Sequence, residues 1–205
     1  MKAFLFSDLH ASLRQLNNIQ RFWGCHSEID LAIFAGDLVN AGNPVDFTRA
    51  FIRVVAGWQK PLFWVPGNND FGPSYEVLNQ ALPSLEGRVV ELGGRCFTGV
   101  GGSPESWSGQ YQGKRGIDAN DLAGSIFVTH YPPPGTYHFL KNVTNKRLAS
   151  RQFWGAPLAH ICGHIHHQWG VSNLGQTRVI KLGAAELGRY AILDLDSLEV
   201  EFKEF

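Results

Sequence analysis

Cysteine is scarce in this sequence, and there is no excess of charge of either sign. The three isolated cysteines, Cys25, Cys96 and Cys162, form neither a disulfide framework nor a Cys-x-x-Cys metal pair. Each is therefore predicted to be a small buried hydrophobe. Eighteen basic residues balance eighteen acidic ones, so no net field attracts a nucleic acid or an anionic membrane. Affinity for a phosphate must come from a local site.

Long hydrophobic runs are also missing. Before Ser7 the only apolar run is Ala3–Phe6, far short of a signal-peptide core or a membrane span. We therefore expect a cytoplasmic protein with no membrane association. No repeat, long charge run or linker divides the chain, and 44% of its residues are hydrophobic, so a single domain over residues 1–205 is expected.

The first half of the chain alternates short apolar runs with helix-like stretches, which predicts a βαβαβα pattern. The predicted elements in chain order are Ala3–Phe6, Ser12–Trp23, Leu31–Ala35, Asp46–Ala56, Leu62–Val65 and Ser74–Leu82. Ser12 and Ser74 are the predicted N-caps. Pro44 and Pro73 are predicted to lie before the helices begin.

From Val89 onward the pattern changes to strands, with at most one helix near Lys146–Phe153. The predicted strands are Val89–Leu92, Cys96–Val100, Ile126–Thr129, Leu158–Cys162, Val179–Leu182, Tyr190–Asp194 and Leu198–Phe202. A second, more antiparallel sheet is expected. Two facing sheets with helices outside would make a layered α/β sandwich.

Polar side chains directly follow five of the apolar runs. These motifs are Asp8-x-His10, Gly36-Asp37, Gly67-Asn68-Asn69-Asp70, His130 and Gly163-His164-Ile165-His166. Loops at the carboxyl ends of strands are where α/β sheets bind ligands. The five motifs therefore predict one site along a rim of the sandwich.

The spacing inside the motifs supports a shared site. Asp8 and His10 are two residues apart, so in extended chain both side chains point the same way. The same holds for His164 and His166. Three of the proposed ligands follow a glycine, which lets the backbone turn sharply and approach a cluster closely.

The predicted metal ligands are two carboxylates, four imidazoles and one amide, namely Asp8, Asp37, His10, His130, His164, His166 and Asn68. This nitrogen-rich set favours a transition metal over calcium, with manganese first and iron, zinc, nickel, cobalt or magnesium as alternatives. Seven ligands suffice for two divalent ions if one carboxylate bridges them, and Asp37, alone in its loop, is the predicted bridge. The surplus positive charge would attract a phosphate.

In this order the five motifs resemble those of the calcineurin-like metallophosphoesterases, and the resemblance runs through almost the whole chain. It implies a four-layer αββα sandwich of two mixed sheets. It also implies a phosphoesterase that acts on a small phosphoester or nucleotide-like substrate through a metal-bridging hydroxide. The implied partition gives one ion Asp8, His10, Asp37 and His166, and the other ion Asp37, Asn68, His130 and His164.

The sequence departs from that family at Asn69, where many members carry a histidine that acts on the leaving group with the next acidic residue. The predicted catalytic residues are Asn68, Asn69, Asp70 and His130. An amide cannot serve as a general acid, and losing that group typically costs ~10²–10⁴ in rate. Phosphodiesters or other esters with good leaving groups are therefore the expected substrates. His138 and His167 are alternative acids.

Two other functions remain open. One is a catalytically weak or inactive scaffold that keeps the fold, which Asn69 suggests, although all seven ligand positions hold competent residues. The other is a metal-dependent nuclease, which should show a basic track for the nucleic-acid backbone. Zero net charge and a single basic segment argue against nucleic acid as a partner.

Several residues have both a structural and a functional interpretation. Trp107 and Tyr111, in the loop that begins at Gly102, could stack on a nucleobase or pin a surface loop. The basic segment could bind phosphate or form a solvated helix face; it comprises Lys141, Lys146, Arg147 and Arg151. His160, in a predicted core strand, and His26, in a polar turn, are predicted to be structural.

Overall fold

A computed structural model of the protein describes residues 1–40, 45–102, 122–133 and 157–205. Its strands, in chain order, are β1 (Lys2–Phe6), β2 (Leu31–Phe34), β3 (Leu62–Trp64), β4 (Val89–Leu92), β5 (Arg95–Val100), β6 (Ile126–Thr129), β7 (Ala159–Cys162), β8 (Gly170–Leu174), β9 (Thr177–Lys181), β10 (Arg189–Asp194) and β11 (Val200–Glu204). They form two mixed sheets, with the orders β11-β10-β1-β2-β3 and β4-β5-β6-β7-β9-β8.

The second sheet differs from the predicted, more antiparallel one. Strands β5, β6, β7 and β9 run parallel to one another, and only the two outer pairs, β4–β5 and β8–β9, are antiparallel. The last two strands, β10 and β11, belong to the first sheet and not to the second, because β10 pairs antiparallel with β1 and β11 pairs with β10. Strand β8 was not predicted from its sequence, Gly-Val-Ser-Asn-Leu, which has few strand-forming residues.

Three helices lie near their predicted positions: α1 (Leu13–Cys25), α2 (Val45–Ala56) and α3 (Gly72–Ala81). The Ser12 side chain caps α1 by accepting from the amide of Gln15, as predicted. The predicted start of α3 is wrong, because its N-cap is Phe71 and not Ser74, and Pro73 lies inside the first turn. Proline is tolerated there since its missing N–H would have no partner within the helix.

Alternation along the strands of the first sheet divides the core into two layers. Phe4 and Phe6 face the helices and pack with buried residues of α1, α2 and α3. Ala3 and Leu5 face the other way and pack against the second sheet, for example against Ile126. The α/β sandwich of two mixed sheets is thereby confirmed. The helix predicted near Lys146–Phe153 and the position of Pro44 lie outside the described residues.

The cysteine prediction holds only in part, because Cys162 is buried but Cys96 is half-buried and Cys25 is exposed. Cys25 ends α1 on its solvent side, so its small size was a poor guide to burial. Within the described residues, no helix has both the length and the apolar character that a membrane crossing requires.

Candidate metal centre

The five predicted motifs meet at one rim of the sandwich. Strands β1, β2 and β3 run parallel in one sheet, and β6 and β7 run parallel in the other. The loops that follow them are bonded to one another: the amide of Asp8 donates to the carbonyl of Gly36 at 2.8 Å, and that of Gly163 to the carbonyl of His130 at 3.0 Å. The carboxyl ends of these strands thus bring the predicted ligands together, as expected.

The first group of side chains consists of Asp8, His10 and His166, whose potential ligand atoms all lie within 4.8 Å of one another. The Nε2 atoms of His10 and His166 are 3.2 Å apart. The Oδ1 atom of Asp8 lies 3.9 Å from the first Nε2 and 3.4 Å from the second. Three electron-pair donors therefore converge from two loops.

Asp8 is fully buried, and its two oxygens differ. Oδ2 accepts from the Ser7 hydroxyl at 2.5 Å and from the amide of His164 at 3.0 Å. Oδ1 is buried and has no hydrogen-bond partner. A buried carboxylate oxygen without a partner is costly unless a cation neutralises it. The orphaned oxygen therefore fits a metal ion in this group.

The second group consists of Asp37, His130 and His164, again with all ligand atoms within 4.8 Å. The Nε2 atom of His130 lies 3.3 Å from Asp37 Oδ2, 3.3 Å from His164 Nδ1 and 3.0 Å from the Oδ1 atom of Asn68. These four residues offer a carboxylate, two imidazoles and an amide oxygen. That donor set also fits a divalent transition metal.

Asp37 belongs to the second group but also lies close to the first. Its Oδ2 atom is 3.6 Å from Nε2 of His10 in the first group and 3.3 Å from Nε2 of His130 in the second. Burial disfavours a charged Asp37, but the adjacent His130 and two hydrogen bonds from Asn69 hold the pKa of its carboxyl well below the usual range. The Oδ2 atom of Asp37 is therefore within 3.6 Å of an imidazole nitrogen of each group.

Asn69 is bonded to that carboxylate twice. Its backbone amide donates to Asp37 Oδ1 at 2.8 Å, and its side-chain Nδ2 donates to Oδ2 at 2.7 Å. Its side chain thus fixes the orientation of Asp37.

Asp70 faces the backbone of the two neighbouring loops. Its carboxylate accepts from the amides of Asp37 and Leu38 at 2.8 Å, of Gly67 at 2.9 Å and of Val39 at 3.3 Å. Burial, with the charge of Asp37, raises the pKa of Asp70 to about 6. The carboxylate therefore ties the loop that carries Asp37 to the loop that carries Asn68.

The imidazoles differ in their affinity for protons. Burial disfavours charge on His130, but the carboxylate of Asp37 outweighs it and raises the pKa of His130 to about 9. Burial and the neighbouring His130 lower the pKa of His164 to about 4. The neighbouring carboxylates of Asp8 and Glu186 raise the pKa of His166 above its usual value. A metal ligand must be a neutral imidazole, so a cation in the second group would displace a proton from His130.

The backbone of these loops is not extended, which corrects the argument from spacing. Asp8, His10, Asp37 and His164 have φ values of 56°, 46°, 59° and 72°, in the left-handed region that non-glycine residues rarely adopt. Their side chains converge because the loops turn sharply, not because alternate residues of a strand face one way. Such strain concentrates at functional sites, where surrounding contacts maintain it.

The glycines of the motifs allow a close approach of loops, as expected. A Cβ atom on Gly163 would overlap the Ser7 hydroxyl, and one on Gly67 would overlap the Asp37 carboxylate. Both positions therefore require a residue without a side chain.

Sequence reasoning missed the residues that hold the imidazoles from outside. His10 Nδ1 lies 2.9 Å from Asn40 Oδ1, and His166 Nδ1 lies 2.7 Å from Glu186 Oε1. Tyr131 stacks on the ring of His164, with centroids 3.8 Å apart. A signal existed for Glu186, since it follows β9, which runs parallel to β7 and ends at the same rim.

Other predicted residues lie away from the two groups. His160 is buried in β7, within 2.7 Å of the Thr129 hydroxyl, and His26 stacks on Phe22 after α1; both are structural, as predicted. His167 is exposed and belongs to neither group. Seven residues with a possible functional role in the sequence lie outside the described residues: Trp107, Tyr111, His138, Lys141, Lys146, Arg147 and Arg151.

Comparison with known families gives one match that covers most of the chain. A family model described as calcineurin-like phosphoesterase matches residues 1–168.

Among curated proteins, the chain is 23% identical over 184 residues to the 3′,5′-cyclic adenosine monophosphate phosphodiesterase CpdA of Escherichia coli strain K12. This alignment covers 80% of the chain and 66% of the relative, so the chain spans just under two thirds of that protein's length. A protein of the same name from Haemophilus influenzae is 39% identical over 56 residues, covering 27% of the chain and 20% of the relative.

Two solved structures share the fold. The protein TT1561 of Thermus thermophilus superposes with a TM-score of 0.74 at 20% identity, over 99% of this chain and 98% of that one. The phosphopantetheinyl hydrolase PptH of Mycobacterium tuberculosis superposes with a TM-score of 0.59 at 14% identity, over 89% of each chain.

Proposed function

This chain belongs to the calcineurin-like phosphoesterase family, and we propose that it hydrolyses small phosphodiesters with two divalent metal ions. The observation that carries the proposal is the pair of ligand groups that share one rim, with Asp37 between them. A single ion could not use all of these donors, whereas two ions that share Asp37 could.

We propose the following assignment of the donors to the two ions. The first would be held by Asp8, His10, His166 and Asp37, and the second by Asp37, Asn68, His130 and His164. When bound, such ions supply positive charge for the phosphate oxygens and lower the pKa of a coordinated water. Manganese is our first choice, because carboxylate, amide and imidazole donors suit it.

The role proposed for Asn69 is to orient the bridge. Both of its donors are engaged with Asp37, and an amide has no proton to give to a leaving oxygen. We therefore expect turnover to depend on how stable the departing alkoxide or phenoxide is by itself. Aryl phosphodiesters should react faster than alkyl ones in proportion to the acidity of the released alcohol.

The proposed natural substrate is a small phosphodiester such as a 3′,5′-cyclic nucleotide. Its support is the name of the Escherichia coli relative together with the zero net charge of the chain. A long nucleic acid gains most of its affinity from phosphate contacts with basic side chains. A cyclic nucleotide needs only one phosphate site.

The test is an assay of the metal-stripped protein on an aryl phosphodiester, the matching monoester and cyclic AMP. Manganese, nickel, cobalt, zinc or magnesium is added back in turn. Asp37→Ala and His130→Ala remove donors, and Asp46→Ala is the matched control because Asp46 is 93% exposed at the start of α2. We expect metal-dependent diester turnover that both donor variants abolish and the control retains.

Two other outcomes would redirect the assignment. Metal binding without turnover on any of the three esters would favour a scaffold that keeps the fold. Turnover that survives Asp37→Ala would refute the proposed two-ion site, because Asp37 is the carboxylate proposed to hold both ions and its Oδ2 atom lies within 3.6 Å of an imidazole nitrogen of each group.

A further inference from the structure

A short 3₁₀ helix, Ala185–Leu187, lies behind the first ligand group. It carries Glu186, whose Oε1 atom is 2.7 Å from the Nδ1 atom of His166. The two side chains are each about one-third exposed, at 32% and 31%. A carboxylate has only acceptors, so the imidazole donates its Nδ1 proton to Glu186.

The backbone of this segment is bonded to the loop that carries Asp8. The amide of Glu186 donates to the carbonyl of Asp8 at 3.0 Å, and the amide of Ala185 donates to that of Ser7 at 2.7 Å. The amide of Ala184 donates to the carbonyl of His166 at 3.1 Å. The position of Glu186 is therefore set by the same backbone that sets two of the ligands.

The Glu186 contact determines which nitrogen of His166 faces the site. With its proton on Nδ1, the neutral ring presents the lone pair of Nε2 toward the Oδ1 atom of Asp8, 3.4 Å away, and toward Nε2 of His10. The orphaned Oδ1 atom therefore faces a second electron-pair donor and not a proton. That arrangement suits a cation and would be lost in the other tautomer.

Among the partners that contact the Nδ1 atoms of His10, His130 and His166, Glu186 is the charged one. His10 meets the neutral amide of Asn40, and His130 meets the backbone carbonyl of Ala35 at 2.8 Å. A carboxylate behind a ligating imidazole fixes the ring and makes its other nitrogen a stronger ligand.

We propose that Glu186 is a positioning residue that holds His166 with Nε2 toward the first ligand group and strengthens binding of the ion there. This inference rests on the metal centre in the proposed function and adds to it a residue beyond 168, outside the family match. It predicts unequal effects on the two ions, because Glu186 contacts a ligand of the first group only.

The test measures manganese binding to metal-stripped protein by equilibrium dialysis. Glu186→Ala removes the acceptor, and Glu186→Gln keeps an acceptor oxygen without the charge. His166→Ala is the reference for loss of the first site. Glu201→Gln is the matched control, since Glu201 is an exposed residue of β11 that pairs with Lys203. We expect Glu186→Ala to weaken one of two sites by ~10–100-fold, Glu186→Gln to weaken it less, and the control to change neither.

A second readout follows the tautomer directly. In metal-free protein, at a pH high enough that the imidazole ¹⁵N shifts of His166 no longer change, these shifts should report a neutral ring with its proton on Nδ1. Glu186→Ala should shift them toward a mixture of tautomers, and Glu186→Gln should retain the wild-type pattern. A variant that is merely misfolded would lose the dispersion of all histidine signals.

The possible failures are distinct. If the wild-type protein binds no manganese, the proposed function fails. If it binds two ions and both Glu186 variants bind them equally well, only the role of Glu186 is refuted. An unchanged tautomer in Glu186→Ala would refute that role independently of the metal.

Discussion

Replacing Asp70 by alanine should destabilise the fold more than it alters the chemistry. The Asp70 carboxylate accepts four backbone N–H groups, from Asp37, Leu38, Val39 and Gly67. These four N–H groups belong to the loops after β2 and β3. Among the described residues, none of the four has another acceptor. Alanine would leave all four without an acceptor in a buried place.

The expected loss follows from the number of orphaned donors. A buried donor without a partner costs ~1–3 kcal/mol, and water entering the vacated space will satisfy some of the four. Burying the ionised carboxylate is itself costly, because its pKa is raised to about 6, and removing that charge returns ~3 kcal/mol at pH 8. A net loss of unfolding free energy on the order of 2–5 kcal/mol is therefore expected. Domains are stable by only ~5–15 kcal/mol, so Asp70→Ala could approach the unfolding threshold. Asp70→Asn keeps one acceptor oxygen and should lose about half as much.

Urea denaturation followed by circular dichroism measures this loss. The experiment is run with a chelator, so that metal binding does not contribute, and at about pH 8, where Asp70 with its pKa of about 6 is ionised. Asp46→Ala is the control, because it removes a carboxylate that is 93% exposed. The midpoint of the control should stay near that of the wild-type protein.

A different result would assign Asp70 to the substrate. If Asp70→Ala unfolds within about 1 kcal/mol of the wild type, the four hydrogen bonds are not what the carboxylate contributes. If the same variant also loses turnover with its manganese binding intact, then Asp70 acts on the leaving group, as expected from the sequence motif.

Three further outcomes are expected. Gly163→Ala should lose ~1–3 kcal/mol of stability through overpacking, because the new Cβ overlaps the Ser7 hydroxyl, whereas Gly24→Ala in open space on α1 should not; equal urea midpoints would contradict this. Burial lowers the pKa of His160 from 6.5 to about 3, so the unfolded chain binds a proton that the folded protein excludes, and stability falls as the pH drops below 6.5. Between about pH 7 and 5 the loss should be ~2 kcal/mol and should be absent from His160→Gln; parallel profiles would refute it. Asn69→His should raise turnover of alkyl phosphodiesters by up to ~10²-fold relative to aryl ones, and an unchanged ratio would show that no general acid can act at this position.

The convergence of the predicted ligand side chains could be predicted because its signal is local. Each ligand follows an apolar run, and the runs Val89–Leu92 and Ile126–Thr129 have the same bounds in the structure as in the prediction. Parallel strands bring their carboxyl ends to one edge without any detail of side-chain packing. A correct sequence of strands and loops was therefore enough to predict which side chains meet.

Sheet membership and helix starts depend on partners distant in sequence, and there the prediction was less accurate. Nothing within Arg189–Asp194 indicates that it pairs with Lys2–Phe6, almost the whole chain away. Pro73 fits the first turn of α3 because Phe71 supplies the extended residue before it. In both cases the sequence pattern is compatible with two structures, and long-range packing selects one.

The cost of burying charge explains why the predicted ligands are surrounded by further polar residues. Asp8 and Asp37 are almost completely buried, and each takes a left-handed backbone angle that costs of order 1–3 kcal/mol. Apolar residues of the same size would cost less free energy to bury at these positions. Two buried carboxylates therefore indicate a functional role rather than a contribution to stability. A positive charge beside the carboxylates would offset this cost. Ser7, Asn69 and Glu186 hold Asp8, Asp37 and His166 in the orientation that would bind a cation. The same reasoning that predicts a cation between these loops therefore also predicts that the surrounding polar residues will matter for binding it.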